Sequence, residues 1–191
     1  MTSGVTVVIP TIPPRAGLLA RAVASASAQT LPPDALSVAV DTDRQGAWAT
    51  RQRALDAVTT EWTAFLDDDD ELGPHHIAIL REHAESSGAD YLYPWFVVAG
   101  GTDPLAQYFG QPWDDDAPHQ TTIVTLVRTE LAKAVGFREP GDGTVEGQRA
   151  GEDWLFTLGC IKAGAKIYHV PERTWTWHHH GRNTSGLPDR W

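Results

Sequence analysis

Cysteine is nearly absent from this 191-residue sequence, which contains Cys160 and no other. A single thiol forms neither a disulfide framework nor a cysteine-based zinc site, so the sequence predicts a protein of a reducing compartment. No apolar run approaches the ~18 residues needed to cross a bilayer, and residues 1–10 lack the basic and apolar segments of a signal peptide. We therefore expect a cytoplasmic protein without a transmembrane segment.

Positive charge is also scarce, with 15 Lys and Arg against 25 Asp and Glu and a formal net charge of −10. Non-specific nucleic-acid binding needs a basic surface, so we do not expect it here. An anionic substrate would need a local arginine or a divalent cation to offset this background field. Internal repeats and low-complexity linkers are missing too, so we expect one domain over residues 1–191.

Strand-like and helix-like segments alternate through the first half of the chain. Apolar β-branched runs predict strands, and Ala/Leu-rich runs with helical spacing predict helices, at 6–10, 17–29, 36–40, 46–58, 63–66 and 74–86. This order predicts an α/β fold with a mostly parallel central sheet flanked by helices. The three strands all end in polar or acidic residues, so we expect a ligand site at one edge of the sheet.

The second half is less regular. We expect strands at 91–99, 121–127 and 166–170 and a helix over 153–163 that Gly164 terminates. Between them, residues 136–152 contain five glycines and are predicted to form a mobile loop.

Four consecutive aspartates, Asp67 to Asp70, follow the third predicted strand. If the strand continues, Asp67 and Asp69 lie on one side and Asp68 and Asp70 on the other. Buried like-charged carboxylates repel unless a cation lies between them, and oxygen ligands suit a divalent ion. The alternative is a solvated acidic turn before a helix. The position after a buried strand favours a metal site.

A histidine run, His178 to His180, lies near the end of the sequence. In an extended segment His178 and His180 point to the same side. Imidazole and carboxylate ligands suit Mn²⁺ or a similar ion, and phosphate oxygens of a substrate can complete its coordination shell. The alternatives are an exposed polar tail or a tag remnant.

Glu152 and Asp153 open the predicted helix after the glycine-rich loop, where a carboxylate could act as a general base on a substrate hydroxyl. The alternative is simple charge compensation at a helix N-terminus. Trp154 and Trp177 offer flat surfaces on which a sugar ring could stack, and the alternative is that they are core residues.

Together these segments resemble the family 2 glycosyltransferases with the GT-A, nucleotide-diphospho-sugar transferase fold. The resemblance covers about residues 4–186 and is carried, in order, by VVIPTIPPR, LLARAVASASAQT, VAVDTD, GAWATRQ, TAFLDDDDEL, GFRE, GEDW, AGAKIYHVPE and HHHGRNTSG. It implies a nucleotide-binding half over about 1–72 and an acceptor and catalytic half over about 73–191.

The resemblance also implies roles for individual residues. In the nucleotide site it implies that Pro10, Thr11 and Arg15 form the base-pocket loop and that Asp41 and Asp43 lie toward the base. It also implies that Arg51 approaches the base or diphosphate and that Asp67 and Asp68 form the first part of a D-x-D motif. Asp67 and Asp69 look like the D-x-D pair, although the run of four aspartates also allows a register one residue away.

For metal binding, the resemblance implies Asp69 and His180, with His178 as the alternative ligand. For catalysis it implies Asp153 as the base, with Glu152 as the competitor. The expected reaction transfers a sugar from a UDP- or GDP-sugar to a hydroxyl acceptor, with Mn²⁺ or Mg²⁺ and with inversion. The acceptor class is left open.

Two other functions remain as alternatives. A nucleotidyltransferase acting on a sugar phosphate usually has a glycine-rich, basic loop after its first strand, where this chain has Pro13-Pro14-Arg15. A non-catalytic nucleotide-sugar binding module is disfavoured by the presence of both Asp69 and the Glu152–Asp153 pair.

Overall fold

The computed structural model describes residues 2–141, 144–145, 148–149 and 151–178, with side chains described for residues 4–141 and 151–178. In chain order the elements are β1 (Thr2–Thr11), α1 (Ala16–Ser27), β2 (Ala35–Val40), α2 (Ala47–Asp56), β3 (Thr60–Phe65), β4 (Glu71–Leu72), α3 (His76–Ser87), β5 (Tyr91–Ala99), β6 (Leu126–Arg128), α4 (Thr129–Val135), β7 (Thr144–Val145), β8 (Gln148–Arg149), α5 (Glu152–Lys162) and β9 (Ile167–His178).

Seven strands form one sheet in the order β2-β1-β3-β6-β5-β9-β4. β1 pairs in parallel with β2 and β3, and β5 pairs in parallel with β9. β6 is antiparallel to both β3 and β5, so β5 and β9 run in the same direction as β1 to β3. The carboxyl ends of these five strands therefore meet at one edge, which is where ligands bind in open α/β sheets. The predicted α/β fold with a mostly parallel sheet is confirmed.

The apolar runs occupy the strands covered on both faces. In β1, Val7, Val8 and Ile9 are fully buried although their side chains alternate between faces, which is typical of a central parallel strand. An aromatic cluster of Phe65, Phe137 and Phe156 joins the end of β3 to α5, with ring centroids 4.4–5.6 Å apart. This cluster brings the start of α5 close to the carboxyl edge of β3.

Two expectations for the second half are wrong in their boundaries. The predicted strand at 121–127 is reduced to Leu126–Arg128, and the unpredicted helix α4 follows at once. Thr121 to Thr125 are buried except for Thr122, and an apolar buried run does not by itself distinguish a strand from a packed connection. The last strand was predicted to end at Val170, but β9 continues to His178 as the parallel partner of β5.

The glycine-rich segment contains a short antiparallel pair, β7 with β8. Residues 142–143, 146–147 and 150 lie outside the described residues, so the mobility expected for 136–152 stays a prediction. Across the described ranges, none of the helices combines the length and apolarity that a bilayer crossing requires.

Gly73 marks a close backbone approach between the start of α3 and β9. Its N–H donates to the Thr174 carbonyl at 2.7 Å, and a Cβ at this position would lie 2.7 Å from the same oxygen. We predict that Gly73→Ala lowers the free energy of unfolding by about 1–3 kcal/mol, because backbone must move to admit the methyl group.

Gly17, in the first turn of α1, is the matched control because a Cβ there meets nothing within 4 Å. Gly17→Ala should leave stability unchanged or raise it by up to about 1 kcal/mol. Equilibrium urea unfolding of both variants measures the difference. Equal stabilities would contradict this account of Gly73.

Candidate active site

The aspartate run forms a turn beyond β3. The Asp70 N–H donates to the Asp67 carbonyl at 3.3 Å, so the strand alternation expected for these residues does not apply. One carboxylate oxygen from each of Asp67, Asp69 and Asp70 lies within 4.8 Å of the other two. The expectation that Asp70 shares a side with Asp68 is therefore wrong, and we call Asp67, Asp69 and Asp70 the three-aspartate cluster.

Burial makes this cluster electrostatically costly. The pKa of Asp70 is raised to about 9, first by burial and then by the charges of Asp67 and Asp69, although the His178 backbone N–H donates to its Oδ1 at 2.9 Å. The pKa of Asp67 is raised to about 6 by burial, against the opposing charge of Arg51. Hard oxygen ligands whose negative charge is only partly compensated fit a divalent cation such as Mg²⁺ or Mn²⁺.

Asp68 faces the end of β1 instead of the cluster. Its Oδ2 accepts a hydrogen bond from the Thr11 hydroxyl at 2.6 Å, and its Oδ1 accepts one from Arg15 Nη1 at 2.8 Å. Arg15 also lies 3.3 Å from Asp69 Oδ2. The structure thus brings together Thr11, Arg15 and Asp68, with Pro10 buried in the adjoining strand.

The two acidic residues after β2 differ in exposure. Asp41 is buried and accepts backbone N–H groups from Asp43, Gln45 and Gly46 at 2.8–3.2 Å. Burial acts to raise the pKa of Asp41, but these hydrogen bonds and the charge of Arg53 outweigh it, so the net shift is downward. Asp41 therefore shapes the loop that leads into α2, and Asp43 is the exposed carboxylate of the pair.

Arg51 is buried between two carboxylates, a position that the sequence did not indicate. It is 3% exposed, and its Nη2 donates to Asp67 Oδ1 at 2.6 Å while its Nη1 donates to Glu152 Oε1 at 2.7 Å. The guanidinium also lies 5.3 Å from the centroid of the Phe137 ring. Direct contact with a base or diphosphate was expected, but the two terminal nitrogens of this arginine are engaged by carboxylates beneath the site.

The adjacent carboxylates Glu152 and Asp153 have different environments at the start of α5. Burial acts to raise the pKa of Glu152, but the ion pair with Arg51 outweighs it and the pKa is lowered. Asp153 accepts the Trp154 backbone N–H at 2.7 Å, and its pKa is raised to about 7 by burial and then by the charge of Glu152. A carboxylate with a pKa near neutrality is suited to accept a proton.

The remaining four predicted site residues differ in where they lie. Trp154 is only 5% exposed, which supports the alternative that it is a core residue. Trp177 is partly exposed and packs edge-on against Phe96 at 5.4 Å. The imidazole Nε2 of His178, at the end of β9, lies 2.9 Å from Glu71 Oε1. It is the backbone N–H of His178 that borders the three-aspartate cluster, where it donates to Asp70 Oδ1 at 2.9 Å. His180 lies outside the described residues.

Asp70 is a site residue for which the sequence patterns predicted no role. The signal was present, because Asp70 is the fourth member of the aspartate run. Only the turn geometry shows that it joins Asp67 and Asp69.

Comparison with known proteins identifies the family of this chain. The family model described as Glycosyl transferase family 2 matches residues 20–125, more than half of the 191 residues. The chain therefore belongs to glycosyl transferase family 2. Among curated protein sequences no significant match was found.

Solved structures of TarS from S. aureus share the fold. TarS 1-349 is 18% identical, with a TM-score of 0.71 over 93% of this chain and 60% of that chain. TarS 1-349 in complex with UDP-GlcNAc is 18% identical, with a TM-score of 0.74 over 98% of this chain and 61% of that chain. This chain thus spans about three-fifths of the length of TarS 1-349, and at this identity the likeness shows the fold.

The buried carboxyl group of Asp70 makes stability depend on pH. Because its pKa in the folded protein lies above that of an exposed aspartate, folding takes up a proton, and the free energy of unfolding falls as the pH rises from about 4 towards 9. We predict that Asp70→Asn, which keeps an oxygen for the His178 N–H, raises the free energy of unfolding at about pH 8 by roughly 1–2 kcal/mol.

Urea unfolding in chelator at about pH 5 and about pH 8 measures this effect, which should be smaller at the lower pH. Asp56→Asn, at the exposed end of α2, is the control and should change stability little at either pH. A variant less stable than wild type at pH 8 would show that the Asp70 charge is stabilising.

Proposed function

We propose that this chain is a metal-dependent glycosyltransferase domain that moves a sugar from a nucleoside diphosphate sugar to a hydroxyl acceptor. The observation that carries the proposal is the proximity of the three-aspartate cluster to the Glu152–Asp153 pair, with Arg51 hydrogen-bonded to both. Family 2 membership supports the transfer of a sugar over the transfer of a nucleotide.

The donor proposed first is a UDP-sugar, with a GDP-sugar as the alternative. Structures of TarS, which has the same fold, have been solved with UDP and with UDP-GlcNAc. In this chain the nucleotide would lie along the ends of β1 and β2, against Pro10, Thr11, Arg15 and the exposed Asp43. Asp67 and Asp68 would border the ribose.

Asp69 and its two neighbours in the cluster would hold the cation, with His178 beside them at the end of β9. A bound divalent cation would neutralise charge on the departing diphosphate. Arg15 is the nearby guanidinium that can share in this task, because its side chain is partly exposed at the same edge. The net charge of −10 makes such local positive charge necessary for an anionic donor.

Asp153 is proposed as the general base. As the acceptor oxygen attacks the anomeric carbon, Asp153 takes the hydroxyl proton, the new carbon–oxygen bond forms, and the bond from the anomeric carbon to the diphosphate oxygen breaks. A single displacement of this kind inverts the anomeric centre. Glu152 is less suited to the role because its carboxylate is engaged by Arg51.

We predict that Asp69→Asn weakens the binding of UDP-GlcNAc in the presence of Mn²⁺ by at least ~10-fold, because a carboxylate ligand of the cation is lost. Isothermal titration calorimetry with Mn²⁺ and with chelator measures the effect. Asp56→Asn, exposed at the far end of α2, is the matched control and should bind as wild type does. Equal affinity of the wild type in chelator would contradict metal dependence.

We predict that Asp153→Asn retains donor binding but slows UDP release from UDP-GlcNAc by ~10²-fold or more, the usual scale for loss of a general base. With the wild type, kcat/KM should increase with pH through about 7, as Asp153 ionises. Water serves as the acceptor, so no acceptor need be known. Glu152→Gln is the comparison and should stay within roughly 10-fold of wild type. The assignment fails if the effects of the two variants are reversed.

A further inference from the structure

One buried guanidinium joins the two halves of the candidate site. Arg51 on α2 donates to Asp67, which lies in the turn after β3, and to Glu152, which is 101 residues further along the chain at the start of α5. The side chains of Asp67 and Glu152 are 35% and 21% exposed, whereas that of Arg51 is 4% exposed. The guanidinium is therefore shielded from water, whereas its two carboxylate partners remain partly exposed.

The third nitrogen of the Arg51 guanidinium, Nε, does not take part in fixing the orientation of the group. Arg51 Nε is buried and has no hydrogen-bond partner among the described residues. A buried donor without a partner is unfavourable, so this nitrogen does not hold the side chain in place. The orientation of the guanidinium is set by Asp67 and Glu152, each of which takes one terminal nitrogen of the planar fork.

The contacts of Arg51 with Asp67 and Glu152, which we call the Arg51 bridge, separate the roles of two adjacent carboxylates. Consecutive residues of a helix project about 100° apart, so Glu152 and Asp153 do not occupy the same position relative to Arg51. Glu152 takes the ion pair, and Asp153 is left with the Trp154 backbone N–H. The start of α5 is thereby held in one rotation about its axis.

The charges that face Asp153 come from several elements. Glu152 on α5 and Asp67 after β3 raise the pKa of Asp153, Arg51 on α2 lowers it, and Tyr91 on β5 is a neutral neighbour. Arg51 therefore counteracts two negative charges around the same carboxyl group. Its loss would make Asp153 harder to ionise at neutral pH.

We propose that Arg51 is a positioning residue for the transfer reaction: it keeps Glu152 out of the chemistry, fixes the start of α5 against the aspartate turn, and leaves Asp153 as the ionisable base. This inference rests on the proposed function of Asp153. Because Asp67 belongs both to the bridge and to the three-aspartate cluster, the same arginine links the donor side of the site to the acceptor side.

The test follows the ionisation of Asp153 in protein labelled with ¹³C at the carboxyl groups, without donor or metal, so it does not depend on activity. Asp153→Asn assigns the resonance. Arg51→Met should move the titration midpoint of Asp153 up by about one pH unit, and Glu152→Gln should move it down. The double variant should return towards the wild-type midpoint, because opposing charges are removed together.

Arg51→Lys separates charge from geometry. Lysine keeps the positive charge but lacks the planar fork that reaches two carboxylates from two different nitrogens. The midpoint should therefore stay near that of wild type, while UDP release from UDP-GlcNAc with Mn²⁺ falls by roughly 10-fold or more. Lys162→Met is the matched control, since it removes a positive charge from the other end of α5, about 13 Å along the helix from Asp153. In Lys162→Met, neither the titration midpoint of Asp153 nor the rate of UDP release should change.

The outcomes separate this inference from the proposed function. An unmoved Asp153 midpoint in Glu152→Gln and in Arg51→Met, or full UDP release by Arg51→Lys, overturns the positioning role even if Asp153 is the base. Full UDP release by Asp153→Asn overturns the proposed function itself. If Arg51→Met does not fold, the Glu152→Gln midpoint and the Arg51→Lys rate decide the matter, since neither variant leaves a buried carboxylate without a cation.

Discussion

Buried negative charge at the carboxyl edge of the sheet is the constraint on which the site depends. Asp67, Asp69, Asp70 and Asp153 all lie near this edge, and three of these carboxyl groups have raised pKa values because burial disfavours the charged form. Two guanidinium groups, those of Arg15 and Arg51, supply part of the compensating charge. A site of this kind is costly when empty, and a cation that binds it stabilises the folded protein.

The sheet topology explains how so many carboxylates reach one edge. β6 runs antiparallel between β3 and β5, so β5 and β9 point the same way as β1 to β3 although they belong to the second half of the chain. β9 then runs on to His178, whose backbone N–H reaches Asp70. Residues separated by more than a hundred positions therefore meet without a long unsupported loop.

Sequence patterns predicted the parts of this arrangement that depend on local order. Apolar β-branched runs indicated the parallel strands of the first half, and polar residues after them indicated the edge that holds the site. The patterns did not reveal α4, the two-residue strand β4 or the turn at Asp67 to Asp70. β4 exists as the partner of Trp175 and Thr176, which no local pattern encodes. No local signal connects Arg51 with Glu152 either, since the two residues are 101 positions apart and α5 is joined to β3 by the packed rings of Phe65, Phe137 and Phe156.

The Glu152–Asp153 pair shows how environment assigns different chemistry to neighbouring groups of the same kind. Each residue carries a carboxyl group at the start of the same helix, where the dipole favours the ionised form of both. An ion pair with Arg51 lowers the pKa of Glu152, whereas burial and the Glu152 charge raise that of Asp153 to about 7. When the pKa values of two neighbouring acids are shifted apart in this way, the group with a pKa near neutrality is the one suited to exchange a proton at neutral pH. The physical difference between them therefore lies in the side chain of Arg51, which forms an ion pair with Glu152 and not with Asp153.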